Sequence, residues 1–189
     1  MIDPRAPLKG LMAAALACYA TFQPVGAQVL SEDPDVLLDA LASEADPGEA
    51  GRLAEEVLER WSHSGSPALD LLLRRGEEAM RAEDWPRAIA HLTALTDFAP
   101  DFAEGWATRA EAFFLMDRYG AAMADIEQAL ILEPRHFEAL AGLGIMLERL
   151  GQEGPALLAL RAAQAIYPAE PNIGEAIERL EMQTGGRTL

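Results

Sequence analysis

The chain has 189 residues, 50% hydrophobic and 24% charged, a balance that supports a packed core and excludes a disordered polar chain. Its formal net charge of -16 argues against a nucleic-acid partner, because phosphate binding needs clustered Lys and Arg to displace counterions. A basic partner fits that charge, and so does an acidic surface that serves only solubility.

In chain order, the first stretch is "MIDPRAPLKGLMAAALACYATFQPVGAQ". Arg5 and Lys9 precede an apolar run from Leu11 to Phe22, Pro24 breaks it, and the small-residue pattern Val25-Gly26-Ala27 follows. This arrangement predicts a cleavable signal peptide over residues 1–27, cut after Ala27. The apolar run is too short to cross a hydrocarbon core as a helix, so no transmembrane segment is expected. Cleavage removes Asp3, Arg5 and Lys9, taking the charge of -16 to -17 and leaving no lysine; the single cysteine, Cys18, leaves too. An exported chain without cysteine has no disulfide and no thiol chemistry. The expected compartment is the periplasm. The alternative is a lipid anchor at Cys18 in "ALAC", where Ala15 and Leu16 stand in the reverse of the usual order.

The rest of the chain is periodic. Pro100, Pro134 and Pro168 recur with a period of 34, each ending one helix-forming run, since proline lacks the N–H that a helix needs and pushes its predecessor out of the α region. With these prolines as register marks the windows are 69–102, 103–136 and 137–170. Gly76, Ala110 and Gly144 share one slot, and Ala88, Ala122 and Ala156 share another, which is what two antiparallel helices need where they cross closely. Between these slots lie "RAEDWPRA", "LMDRYGAA" and "RLGQEGPA", polar or Gly-containing turns, with Trp85 and Tyr119 in one slot just inside the second helix. The large apolar slots follow the helical period: Leu72, Trp106 and Leu140 in the first helices, then Leu92, Ile126 and Leu160 in the second. All six are expected in the core.

Upstream, Ala42 and Ala54 lie one period before Gly76 and Ala88, so 28–66 reads as a degenerate helix pair that caps the N-terminal end. Downstream, "PNIGEAIERLEMQTGG" predicts one amphipathic capping helix over 171–184, with Ile173, Ile177 and Leu180 on its apolar side, and 185–189 as a loose tail.

These slots resemble the tetratricopeptide repeat, whose unit has this same period, small residues at the helix crossing and a closing proline. The second window fits best, with Trp106, Ala110, Phe113, Ala122, Ile126, Ala129 and Pro134. The departures are Ala79 and Leu147 for the usual tyrosine and Leu95 for an alanine. The resemblance implies an all-α, right-handed solenoid of antiparallel helix hairpins, with three repeats and terminal capping helices. It also implies a concave groove that binds a peptide or protein segment, lined by Leu73, Glu77 and Met80, then Ala107, Thr108, Glu111 and Phe114, then Ala141, Ile145 and Glu148.

Such a trough suits a segment with Arg or Lys beside large apolar side chains, its charges meeting Glu77, Glu111 and Glu148 while Phe114, Met80 and Ile145 supply contact area. The plainer reading makes the three acids ordinary solvated residues and packs Phe114 inside the solenoid. Members of the family that grip the C-terminal tails of cytosolic heat-shock chaperones carry Lys and Asn at set groove slots. Here those slots hold Leu73, Glu77, Thr108, Glu138 and Gly142, so affinity for a C-terminal carboxylate is not expected.

An enzyme would need a nucleophile with its base, or a metal site. His63, His91 and His136 are far apart without ligand spacing, and no glycine-rich phosphate loop follows a strand, so no catalytic, cofactor or metal residues are expected. Against an adaptor stands self-association into a homo-oligomer through the exposed end of the solenoid or the C-terminal helix.

Overall fold

Several helices of this chain start where side chains or prolines relieve their unpaired first amides. The computed structural model describes residues 33–185, so the predicted signal peptide with Cys18, and the tail after Gly185, lie outside the described residues. Within them the helices are α1 (Pro34–Ser43), α2 (Pro47–Trp61), α3 (Pro67–Arg81), α4 (Trp85–Phe98), α5 (Ala103–Leu115), α6 (Tyr119–Leu132), α7 (Phe137–Arg149), α8 (Glu153–Ile166) and α9 (Pro171–Gly185). Asp33, Asp46 and Asp84 cap α1, α2 and α4 by accepting from backbone amides, with a proline in the first turn of each. No strand is present among the described residues.

The period of 34 is carried down to single backbone angles. Glu83, Asp117 and Gly151, one per hairpin turn, all adopt positive φ, at 55°, 56° and 71°. Only the third is a glycine, so the first two turns hold a side chain in a conformation that costs it roughly 1 kcal/mol.

α3 pairs with α4, α5 with α6 and α7 with α8, and each hairpin leans on the next. The small slots explain how closely. A Cβ on Gly76 would sit 2.6 Å from Leu92, and one on Gly144 would sit 2.5 Å from Leu160, while Ala88, Ala122 and Ala156 are fully buried opposite. Leu92, Ile126 and Leu160 are core as expected, but Leu72, Trp106 and Leu140 are only half-buried. Leu95, the departure from alanine, is fully buried because Gly105 makes room: a Cβ there would lie 3.1 Å from it. Across α4, α5 and α6 runs a buried tie in which Arg109 donates to both oxygens of Asp125, at 2.6 and 2.8 Å, and to Thr96 at 2.7 Å. A paired, fully hydrogen-bonded ion is tolerable inside, whereas removing either partner would strand the other charge.

The N-terminal pair departs from the expected end cap. α1 packs on α8, and the shared apolar face of α1 and α2, including Leu38, Leu41, Leu53 and Val57, closes over Phe137 and Tyr167. Trp61 stacks on His136 with ring centroids 4.5 Å apart, and Arg135 pairs with Asp39 at 2.8 Å and Asp35 at 3.6 Å. The short link 62–66, with Gly65 at φ 80°, is all that separates α2 from α3. Apolar burial explains the position: α2 offers Leu53, Ala54 and Val57 at helical spacing, and Phe137 and Tyr167 are aromatics that otherwise would face water. At the other end α9 buries Ile173, Ala176, Ile177 and Leu180 against Leu147, Leu160 and Ala163, running one residue beyond the predicted capping helix.

Candidate functional site

Two rows of side chains line the inner faces of the first helices at the repeat period. One turn holds Asp70, Glu104, Glu138 and Asn172; the other holds Glu77, Glu111 and Ile145. The carboxylates sense one another. Glu77, Glu111 and Glu138 are all shifted toward the neutral form, first by the surrounding protein and then by Glu104, with Glu77 adding to Glu111 and both Glu111 and Glu170 adding to Glu138. The Glu138 carboxyl is pushed up to about 7, even though His136 opposes the rise. Glu111 and Glu138 keep contact with water, so they lie in a crowded, acid-rich concavity and not in a dry core. Neither these two nor Glu77 forms an ion pair among the described residues.

Glu104 is organised by its neighbours. His136 caps α7 by accepting from the Ala139 amide through Nδ1, so Nε2 carries the proton and donates to Glu104 at 3.1 Å. Thr108 donates to the other oxygen of Glu104 at 3.2 Å. The Trp61 stack on His136 therefore ties the N-terminal hairpin to the acid row.

Several expected groove residues sit elsewhere. Leu73 is buried against Leu92, Leu95 and Ala112, so it is core and not groove. Thr108 is buried and spent on Glu104. Glu148 is taken by Arg179 of α9 at 2.9 Å, since the capping helix covers that end of the groove. Met80 packs against the Leu73 cluster. Phe114 packs edge to face on Tyr119 at 5.8 Å with the Arg149 guanidinium 5.3 Å above its ring, closer to the plainer reading. Glu77, Glu111, Ala141 and Ile145 stay on the concave side, Ile145 with 39% of its surface exposed, and Ala107 is half-buried.

Glu104 is absent from the expected lining and Glu138 is expected there only as the occupant of a clamp slot, although their shared slot with Asp70 is readable from the period. The contribution of α2 has no such signal. Its Gly51, Ala54, Glu55 and Leu58 face Glu138, Ala141 and Ile145 of α7 across a cleft of about 380 Å³. Among the described residues no group of His, Cys, Asp and Glu is placed to hold a metal ion, and no helix is long and apolar enough to cross a membrane.

No family model matches the chain. A TPR repeat-containing protein of Rhizobium etli is 36% identical over 155 residues, covering 82% of this chain and 76% of that protein. Among solved structures, the first TPR domain of Spaghetti (RPAP3), bound to an HSP90 peptide, superposes with a TM-score of 0.60 at 17% identity, covering 62% of this chain and 93% of that one. The crystal structure of MamA spans more of the fold, 80% of this chain and 81% of its own, with a TM-score of 0.58 at 21% identity. The helix hairpins, their period and the Rhizobium relative agree: the chain belongs to the tetratricopeptide-repeat proteins.

Proposed function

We propose that the chain is a non-catalytic adaptor of the cell envelope that holds a peptide or protein segment in its concave trough. The observation that carries this reading is the set of Glu77, Glu104, Glu111 and Glu138, four carboxylates on one concave face, three of them held toward neutrality by protein and by one another. A cation arriving there relieves that repulsion, so the favoured segment carries Arg or Lys beside apolar side chains that pack on Ile145. Two fold neighbours support the class of activity: the Spaghetti domain is bound to the HSP90 peptide SRMEEVD, and the TPR2B domain of yeast Sti1 is in complex with a pHsp70 partner. The ligand's sign is opposite here. SRMEEVD is rich in acids, and the slots where a clamp for such a peptide carries Lys and Asn hold Leu73, Glu77, Thr108, Glu138 and Gly142 here, none of them a cation.

Envelope placement rests on the signal features of residues 1–27, and N-terminal sequencing of the protein from a periplasmic fraction tests it, with Gln28 as the expected first residue. Groove binding is tested by affinity capture from an envelope extract on residues 28–189, at low and high salt, beside a Glu77→Gln, Glu111→Gln, Glu138→Gln bait and in competition with SRMEEVD. Capture that the triple variant and high salt abolish, and that SRMEEVD leaves intact, is the expected result; equal recovery by both baits contradicts it. Self-association is the second reading, favoured by Ile131 and Leu158 on α6 and α8, which are 66% and 69% exposed. A solution mass of two or more chains would support it.

A further inference from the structure

At the α7 end the trough is no longer open. α7 and α9 form two walls of the cleft and α2 of the N-terminal hairpin forms a third. Its body is apolar, from Ala54, Leu58, Ile145 and Ile173, and the edge-to-face pair of Phe137 and Tyr167 closes it, ring centroids 5.6 Å apart. Each side contributes one carboxylate: Glu55 from α2, Glu138 from α7 and Glu170 from the link before α9. No basic side chain is among the lining residues.

This combination is selective by charge and shape. A wholly apolar occupant would desolvate Glu55 and Glu138 without pairing them, Glu170 being already held by the Asn172 backbone amide at 3.2 Å and its side-chain amide at 2.6 Å, and an anion would be repelled. A long aliphatic stem ending in a cation fits both parts, its stem against the apolar walls and its head among the carboxylates and over an aromatic face. We propose that this cleft is the recognition pocket for one Lys or Arg side chain of a partner protein's segment, and that the α1–α2 hairpin supplies the wall that an open solenoid groove lacks. The proposal rests on the concave-face reading above and assigns the discriminating contact within it. The crowding of Glu138 by Glu104, Glu111 and Glu170, offset only by His136 and with Glu55 across the cleft, is what an incoming cation relieves. The hairpin is then part of the site, and loosening it costs affinity.

The test pans a display library of random peptides, about twelve residues each to match the span of such a groove, on the full chain. Selected peptides are then titrated against two variants. Gly51→Leu puts an apolar side chain into the cleft and, by replacing a glycine inside α2, favours that helix, so loss of folding is not its expected effect. Glu55→Arg supplies a built-in cation. The expected result is enrichment of peptides with Lys or Arg beside apolar residues, binding at least about tenfold weaker to both variants, while Glu127→Gln, exposed on α6 and outside the cleft lining, changes affinity less than about threefold. If basic peptides are enriched but bind both variants like the native chain, the pocket is overturned and the groove reading stands. If no peptides, or peptides without Lys and Arg, are enriched, both readings fall. If acetyl-arginine amide competes as tightly as the selected peptides, the site takes a small cation and the protein-segment proposal is overturned.

Discussion

Two parts of this molecule are built from the same kind of helix pair and end in different places. In α3 to α8 each hairpin docks on the next through slots that recur at the period of the prolines, with Gly76, Ala110 and Gly144 at the crossings and Leu92, Ile126 and Leu160 against them. In α1 and α2 the slots are vaguer, and large leucines carry the packing onto Phe137 and Tyr167, far along the chain. The difference teaches that a repeat pattern specifies neighbour contacts, whereas a degenerate terminal pair goes wherever its apolar face finds uncovered aromatics. Here that place borders the candidate binding surface.

The strongest test of the repeated half is to fill a crossing slot. Gly144→Val would drive a side chain into Leu160, 2.5 Å from where its Cβ would stand, and is expected to cost about 3 kcal/mol in a urea titration. A loss under about 1 kcal/mol would mean that the hairpin spreads easily and the slot is not tight. On the other half, Trp61→Ala removes the stack on His136 and the tilted contact with Phe137, and about 2 kcal/mol of local stability is expected to go with them. Hydrogen exchange should then speed up in α1 and α2 while α4 to α8 keep their protection. Uniform acceleration would contradict the separation of the two parts.

The trough gives a prediction with a definite sign. Glu138 holds its proton up to about 7 in the folded chain against an ordinary 4.5, so the folded state binds more protons between those values. Stability is therefore expected to be fully present below about 4.5 and to fall as pH rises toward and through 7. Because the carboxylate still meets water, Glu138→Gln should gain only on the order of 1 kcal/mol at pH 8 and should flatten the slope between pH 5 and 7. An unchanged slope would mean that the crowding of Glu138 by Glu104 and Glu111 is relaxed in solution. The smallest effect belongs to the turns: Glu83→Gly relieves a positive φ of 55° and should add about 0.5 kcal/mol, whereas the same change at Asp117 also loses the hydrogen bond from Tyr119 at 2.6 Å and should add less. Equal gains at both turns would show that bond to be without weight.

Much of the architecture was legible because a solenoid writes its neighbour contacts into the sequence at a fixed interval. The hairpins, their turns and the small slots follow from that interval, the C-terminal helix follows from the apolar spacing of Ile173, Ile177 and Leu180, and even Leu95 could have been matched with Gly105. The site was legible only in part. Glu77, Glu111 and Ile145 follow from the period, but Leu73 is spent on packing with Leu92, Leu95 and Ala112, Thr108 on Glu104, and Glu148 on Arg179. Nothing local in α2 announces Phe137, which lies beyond two intervening hairpins, as its packing partner. Such a contact depends on which aromatics the solenoid leaves uncovered, a property of the assembled fold.

The central claim is that the N-terminal hairpin lies against the α7 side of the concave face and walls the cleft. The most direct measurement is a set of nuclear Overhauser contacts from the Trp61 indole in labelled protein. With ring centroids 4.5 Å from His136 and 5.6 Å from Phe137, cross-peaks to both rings are predicted. Cross-peaks from Trp61 to α3 and α4 in their place would put the hairpin at the end of the stack, and the cleft would lose its third wall.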